Sequence, residues 1–416
     1  MTPFSVSVVI VSRNRANWLR RCLLAVSQID YPLFEIAVVA CPAGSRIARA
    51  ARAPSRITVL EFDRPNISAA RNLGIAQSNG EIVAFLDDDA VPEPTWLHHI
   101  TAPFVETSVA QAGGTTLGRN GISVQHAATR VDLTGRSFPA PLLKPTIQVI
   151  LPQNTLYPRL HGTNMAIRRN VLADMNGFDP RFAFYLDETD LCLRIAKSGG
   201  QTAFVPKAVV HHASGPSTFR TKARTPRTLF EIGASIGVFH QKHTPPAERQ
   251  AGKDLIFADR RNWLLRHMQS GAIMPDGVAR LMSELEHGYR TGITRYPDDR
   301  PDLNFVDHRS MEQAPARSKP DLYLTGRPLA RRRTDTEARK LVQDGHRVTV
   351  FEYSRTAMYH HVMFTEGGYW RHTGGIYGRE LRGEPLLQNG TFETRINRTL
   401  QRLEGIRSKN ALIGKI

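Results

Sequence analysis

The chain is poor in cysteine. Cys22, Cys41 and Cys192 are the three it has in 416 residues, and no two of them form a Cys-x-x-Cys pair. That argues against a disulfide scaffold and a thiolate zinc site, and it fits a reducing compartment. Long apolar runs are missing too: nothing approaches the roughly 18 residues of a membrane-spanning helix. The N-terminus has no basic start leading into an apolar stretch, because the strand-length SVSVVIVS (5–12) runs straight into charge. A cytoplasmic location is therefore expected. Glycine is absent from SRNRANW (12–18). This excludes the GxGxxG fingerprint of a dinucleotide-binding enzyme and weighs against the Gly- and Arg-rich loop of a nucleotidyltransferase.

Acidic residues are in deficit, 38 against 55 basic ones, for a net charge of +17. The excess is uneven. Residues 1–216 hold 21 basic and 16 acidic residues (+5), and residues 217–416 hold 34 and 22 (+12). A basic surface suits nucleic acid, anionic lipid headgroups or phosphorylated substrates, and most often it serves solubility alone. In RRRTDTEARK (331–340) the arginines alternate with acids, as on a solvated helix face. Nucleic acid is thus not an expected partner, while peripheral contact with an anionic membrane remains a hypothesis resting on the +12 half.

With 41% apolar and 22% charged residues the composition is globular, and the length calls for two or three domains. The first hundred residues alternate strand and helix patterns. SVSVVIVS (5–12), FEIAVVAC (34–41), ITVLEF (57–62) and EIVAFLDDD (81–89) read as buried strands. Helical spacing appears over 14–26 and 68–77, and PEPTWLHHI (92–100) reads as a helix opened by proline. Such repeats imply right-handed crossovers and a mostly parallel sheet, with ligands beyond the strand carboxyl ends. The residues after strands 1, 2 and 4 are the first places to look. Residues 217–300 are helical in pattern. Residues 301–320 read as a linker, and 321–365 carry two strand-like pieces around a charged helix. The tail to 416 is rich in Gly and Arg.

Three features carry chemistry. FLDDDAVPEPTWL (85–97) puts three adjacent carboxylates at the end of an apolar strand, an arrangement that a hard divalent cation would stabilise. LDETDLCLR (186–194) places Asp187, Glu188 and Asp190 in a helix's first turn, where acids are favoured on helix-dipole grounds alone. His211 and His212 end a strand-like segment.

Together with VSRNR, ARNLGI (70–75), GTN (162–164), GFD (177–179) and VPKAVVHHASGPS (205–217), these segments resemble the GT-A-fold family 2 glycosyltransferases, which are inverting and use nucleotide-sugar donors. The resemblance covers roughly residues 5–217. It implies an α/β fold, a GT-A-like, Rossmann-type, mostly parallel sheet flanked by helices. Residues 1–218 would form that catalytic domain, followed by a helical extension (219–300), the linker, and a small C-terminal α/β module (321–416) of unassigned role.

The resemblance also implies residue roles. Asp89 would hold a Mn2+ or Mg2+ ion on the donor diphosphate, with Asp87 supporting or sharing it and Asp88 facing the ribose. His212 matches the metal-binding histidine, with His211 as second candidate. Glu188 occupies the catalytic-base position and Asp187 the neighbouring acceptor-binding position. The family more often has Asp where Glu188 stands, so the two roles are open to exchange. Ser12, Arg13 and Asn14 would line the nucleotide pocket, Arg71 and Asn72 would lie near the donor phosphates, and Gly162 to Asn164 near the donor sugar and acceptor. The implied partners are a nucleotide sugar and a glycan or lipid-linked acceptor. In one departure, the loop after strand 2 (Ala40-Cys41-Pro42-Ala43-Gly44) lacks the base-reading Asp common in the family. Asp63, Arg13 or backbone groups would have to replace it. That gap leaves an inactive, glycosyltransferase-like binding protein as an alternative beside a nucleotidyltransferase.

Overall fold

β-branched side chains favour extended backbone and pack well when both sheet faces are covered. β1 (Val6–Ser12) shows this, being almost wholly buried. The structure is a computed structural model that describes residues 2–51, 56–140, 145–295, 302–305, 311, 319–407 and 412–415. After β1 come α1 (Ala16–Val26), β2 (Phe34–Ala40), α2 (Pro42–Arg49), β3 (Ile57–Glu61), α3 (Ile67–Ala76) and β4 (Ile82–Asp87). β1 pairs in parallel with β2 and β4, and β2 with β3. α1 covers one face with Leu19, Cys22, Leu23 and Val26, a helical stripe at i, i+3, i+4 and i+7.

The chain continues through β5 (Ala90–Pro92), α4 (Trp96–Thr101), β6 (Val109–Leu117), β7 (Val124–His126), β8 (Thr129–Val131), β9 (Ser137–Pro139), β10 (Gln148–Ile150), β11 (Tyr157–Arg159), β12 (Met165–Arg168), α5 (Arg169–Asp174), α6 (Asp187–Lys197) and β13 (Gln201–His212). The main sheet runs β10-β13-β6-β12-β4-β1-β2-β3. β12 is antiparallel to both its neighbours, while β6 and β13 are parallel to each other. The fold is therefore the expected α/β arrangement, a mostly parallel sheet flanked by helices. The helix expected over 92–100 begins at Trp96, because Ala90–Pro92 is taken up as a strand against β13.

Residues beyond 217 form α7 (Phe230–His243), α8 (Arg249–Gln269) and α9 (Pro275–Thr294). α7 and α9 meet through glycines on both sides. A Cβ at Gly233 or Gly237 would come within 2.1 or 2.3 Å of the carbonyl oxygens of Leu285 and Tyr289, and one at Gly288 or Gly292 within 2.0 Å of those of Phe230 and Ala234. This close seam continues into the N-terminal half, since Phe182, Leu186 and Leu193 share a core with Ile236, Phe239 and Leu285.

The last elements are β14 (Leu322–Gly326), α10 (Arg331–Gln343), β15 (Val348–Ser354), β16 (His361–Phe364), β17 (Trp370–Gly375), α11 (Phe392–Leu403) and β18 (Leu412–Lys415). They build a second sheet, β16-β17-β15-β14-β18. This sheet is tied to the first. Arg407 makes two hydrogen bonds to Glu93 at 2.7 and 2.8 Å, Gln28 donates to the Gly368 carbonyl at 2.6 Å, and the Val362 amide donates to Asn120 at 2.9 Å. Most of the expected linker, 301–320, lies outside the described residues.

Candidate functional site

The apolar run of β4 delivers Asp87 to the strand's carboxyl end, and the turn that follows carries Asp88 and Asp89. β13 ends beside that turn, with His212 opposite Ala90. Strand alternation then separates the two histidines. His212 puts Nε2 2.9 Å from Asp89 Oδ1. His211 points the other way, 2.8 Å from Glu93 and with its ring centroid 4.7 Å from that of Trp370. Ligand atoms of Asp87, Asp89 and His212 all lie within 4.8 Å of one another. Gln125 Nε2 lies 3.0 Å from His212 Nδ1 and so braces the ring from behind.

Three adjacent carboxylates need compensation, and the structure supplies it from arginine as well as from His212. Arg15 reaches Asp88 Oδ1 at 2.9 Å and Asp89 Oδ2 at 2.8 Å. Ser12 Oγ donates to Asp88 Oδ2 at 2.8 Å. Burial still pushes Asp88 up to about 7, against the pull of Arg15. Burial would raise Asp89 as well, but His212, Arg15 and the Gly215 amide outweigh it and hold this carboxyl far below the usual range. Arg71 lies 3.5 Å from Asp87 and is ion-paired with Asp187, so it links the acidic turn to the start of α6. Gly162 leaves room for it: a Cβ there would sit 2.4 Å from the Arg71 guanidinium.

α6 begins after two consecutive left-handed residues, Tyr185 (φ 75°) and Leu186 (φ 62°). Such backbone is costly in non-glycine residues and here sets the angle at which Asp187 and Glu188 leave the loop. Glu188 Oε1 accepts from Arg159 of β11 at 2.9 Å. The two carboxyls are neighbours, so the charge on one disfavours charge on the other. Burial pushes Asp187 up, against Arg71. Burial also opposes ionisation of Glu188, but Arg159 overcomes it and holds Glu188 low. Asp190 turns inward to Arg194, Lys242 and His243 and is structural.

The acidic turn floors a cleft of about 250 Å³ beyond the ends of β1, β3 and β4. Ser12, Arg13, Asp87, Asp88, Asp89 and His212 are all in its wall, and Arg71 touches it through Asp87. Neither Asp187 nor Glu188 is in the wall: Asp187 stands one arginine away through Arg71, and Glu188 is held off by Arg159. Asn14 is exposed, and its amide donates to Cys41 Sγ.

Two expected residues are turned elsewhere. Asn164 is buried at 1% exposure, with Oδ1 accepting from Trp96 Nε1 and Nδ2 donating to the carbonyls of Thr115 and Ala208. Both its amide hydrogens and its carbonyl are engaged in joining β6, β13 and α4. Asn72 is likewise occupied by the backbone of Phe178. Strand 2 contributes nothing to the cleft, because α2 starts directly at Pro42. The loop after β3 takes its place with Phe62 and Arg64. Arg13 lies over that loop, 2.9 Å from Asp63. Arg15, Arg220 and the stacked pair Phe184–Phe219, with centroids 3.9 Å apart, complete the wall and were not read from the sequence.

The sequence model of the family described as "Glycosyltransferase like family 2" matches residues 3–229, more than half of the 416. The chain belongs to that family. It is 28% identical over 276 residues to the pre-mycofactocin glycosyltransferase of Mycobacterium tuberculosis, covering 64% of this chain and 53% of that one. It is 28% identical over 228 residues to the O-antigen biosynthesis protein RfbC of Myxococcus xanthus, covering 51% of this chain and 18% of the relative. The chain thus spans about half or less of these relatives' own lengths. Among solved structures it is similar to the mannosyltransferase PcManGT of Pyrobaculum calidifontis in complex with GDP-Man and Mn2+. That match has a TM-score of 0.41 and 15% identity, and it covers 71% of this chain and 88% of that one.

Proposed function

We propose that the chain transfers a sugar from a nucleoside-diphosphate donor to a hydroxyl of a glycan or lipid-linked acceptor, with inversion at the anomeric carbon and with a divalent ion. The observation that carries this reading is the convergence of Asp87, Asp89 and His212 within 4.8 Å on the floor of the cleft. Two carboxylates and an imidazole suit Mn2+ or Mg2+. Such an ion supplies a Lewis acid that offsets charge on the departing diphosphate.

The chain's own groups do the rest. Ser12 and Arg15 hold Asp88 in place, and Arg13 and Arg220 present positive charge to the donor from the cleft wall. The loop after β3, with Phe62 and the Asp63–Arg13 pair, takes the nucleobase in place of the missing strand-2 carboxylate. In the transfer the acceptor oxygen bonds to the anomeric carbon. The bond to the diphosphate breaks with its electron pair going to the phosphate, and the hydroxyl proton passes to a carboxylate. Glu188 is the proposed base, kept ionised by Arg159, and Asp187 with Arg71 orients the acceptor. One direct displacement inverts the centre without a covalent enzyme intermediate.

The same reading divides the chain at 1–218, 219–300 and 321–416. Kinship with an O-antigen biosynthesis protein supports a glycan acceptor. Among the described residues no helix is long and apolar enough to cross a membrane, and contact with an anionic membrane surface through the basic half belongs to the proposal. A thermal-shift screen of nucleotide sugars with and without Mn2+ tests the core of it. The expected result is a Mn2+-dependent rise in melting temperature with one donor class, lost in Asp89→Ala. No shift with any nucleotide would overturn it.

A further inference from the structure

A second cavity, of about 360 Å³, lies on the other side of His212 from the donor cleft. Its walls come from distant parts of the chain: Trp18 and Arg21 of α1, Arg119 after β6, Lys222, and Val362 to Phe364 of β16. Among the described residues no carboxylate lines it. Its cations differ in how they are engaged. Arg119 donates to the carbonyls of Ala213, Ser214 and Lys222, which pins its charge at the wall. Arg21 stacks on the Trp18 ring at 4.8 Å and makes no hydrogen bond or ion pair among the described residues. Asp89 and Glu366 are near enough for Arg21 to feel, but neither touches it, and Asp89 is already engaged by Arg15 and His212. A half-buried guanidinium without a counter-charge pays for lost hydration, and an anion arriving beside it would relieve that cost. The remaining wall combines the His211 and His212 rings with an apolar side, in which Val362 and Phe364 are 4% exposed and Val91 1%. Lys222 and the 41%-exposed Met363 stand at the solvent side.

We infer that this cavity binds an amphiphilic anion of the alkyl-phosphate kind, its phosphate between Arg21 and Lys222 and its apolar part against Trp18, Val362 and Phe364. Among the described residues the site shares His212 alone with the donor cleft, and its ligand does not depend on the transfer chemistry proposed above. Such a group could come from a soluble phosphorylated metabolite or from a lipid headgroup, and the test separates the two.

Isothermal titration of the full-length protein with octyl phosphate, inorganic phosphate and octyl glucoside reads the chemistry. Saturable binding of octyl phosphate is expected, at least tenfold tighter than either partial probe. Arg21→Met should weaken it at least tenfold while binding of UDP with Mn2+ changes less than twofold. Met363→Trp, a rim substitution that narrows the mouth, should weaken it as well. Melting temperatures near the parent's show that both variants are folded. Cosedimentation with phosphatidic acid vesicles identifies the source. Capture that Arg21→Met abolishes points to a lipid, and octyl phosphate binding without vesicle capture points to a soluble ligand. No saturable binding of octyl phosphate, or binding indifferent to both substitutions, would overturn the inference.

Discussion

Two of the places where the protein buries carboxylates among arginines have opposite outcomes. At the seam between the sheets, Glu93 receives Arg407 through both carboxylate oxygens and lies 2.8 Å from His211. Burial opposes its ionisation, but Arg407 and His211 prevail and hold it down to about 2. In the cleft, Asp87, Asp88 and Asp89 also meet Arg15, Arg71 and His212, yet they open onto 250 Å³ of space at the strand ends. A buried ion pair is therefore no mark of chemistry by itself. What marks the cleft is convergence of an ordered acidic set on a space that can hold a ligand.

Substitutions should separate the two regions sharply. Asp89→Ala should abolish metal-dependent transfer, a loss of about 10³-fold or more by the usual worth of a Lewis-acid site, with folding retained by circular dichroism. Glu188→Gln should lower kcat by about 10²–10⁴ while donor affinity stays near normal. If Asp187→Asn shows that pattern instead, the two roles are exchanged. Glu93→Gln should do the reverse of these. It should leave kcat close to the parent's and destabilise by about 3–5 kcal/mol, because Arg407 is left buried without its partner, a loss that denaturant unfolding measures. Gly292→Val, where a Cβ would meet the Ala234 carbonyl at 2.0 Å, should cost about 1–3 kcal/mol by overpacking the α7–α9 seam. The smallest effect concerns acid. Glu93 has a folded pKa of about 2, below its unfolded value of about 4.3, so its contribution is present above that value and is lost as pH falls towards 2. The Glu93→Gln variant should lack that part of the acid-side slope.

Much of this was legible in the sequence, for physical reasons. An apolar strand ending in three acids has few meanings, and β4 with Asp87 to Asp89 carried the site. A strand's two-residue period puts His212 rather than His211 beside the acidic turn only once the neighbouring strand is known. Asn164 looked like a ligand group because a motif does not show which way a side chain turns, and here Trp96 and two carbonyls claim it. Arg15 became visible only when α1 folded back beside the acidic turn. The seam glycines had a signal, GASIG (233–237) and GYRTG (288–292), small residues four apart on two helices. β16, β17 and α11 had little, being short or set among glycines and arginines.

The most direct measurement of the central claim is Mn2+ uptake in the presence of UDP, read by electron paramagnetic resonance on the full-length protein. The account predicts one saturable site that survives in His211→Ala and is lost in His212→Ala and Asp89→Asn. Uptake that treats the two histidines alike, or no bound Mn2+ in the parent protein, would contradict it.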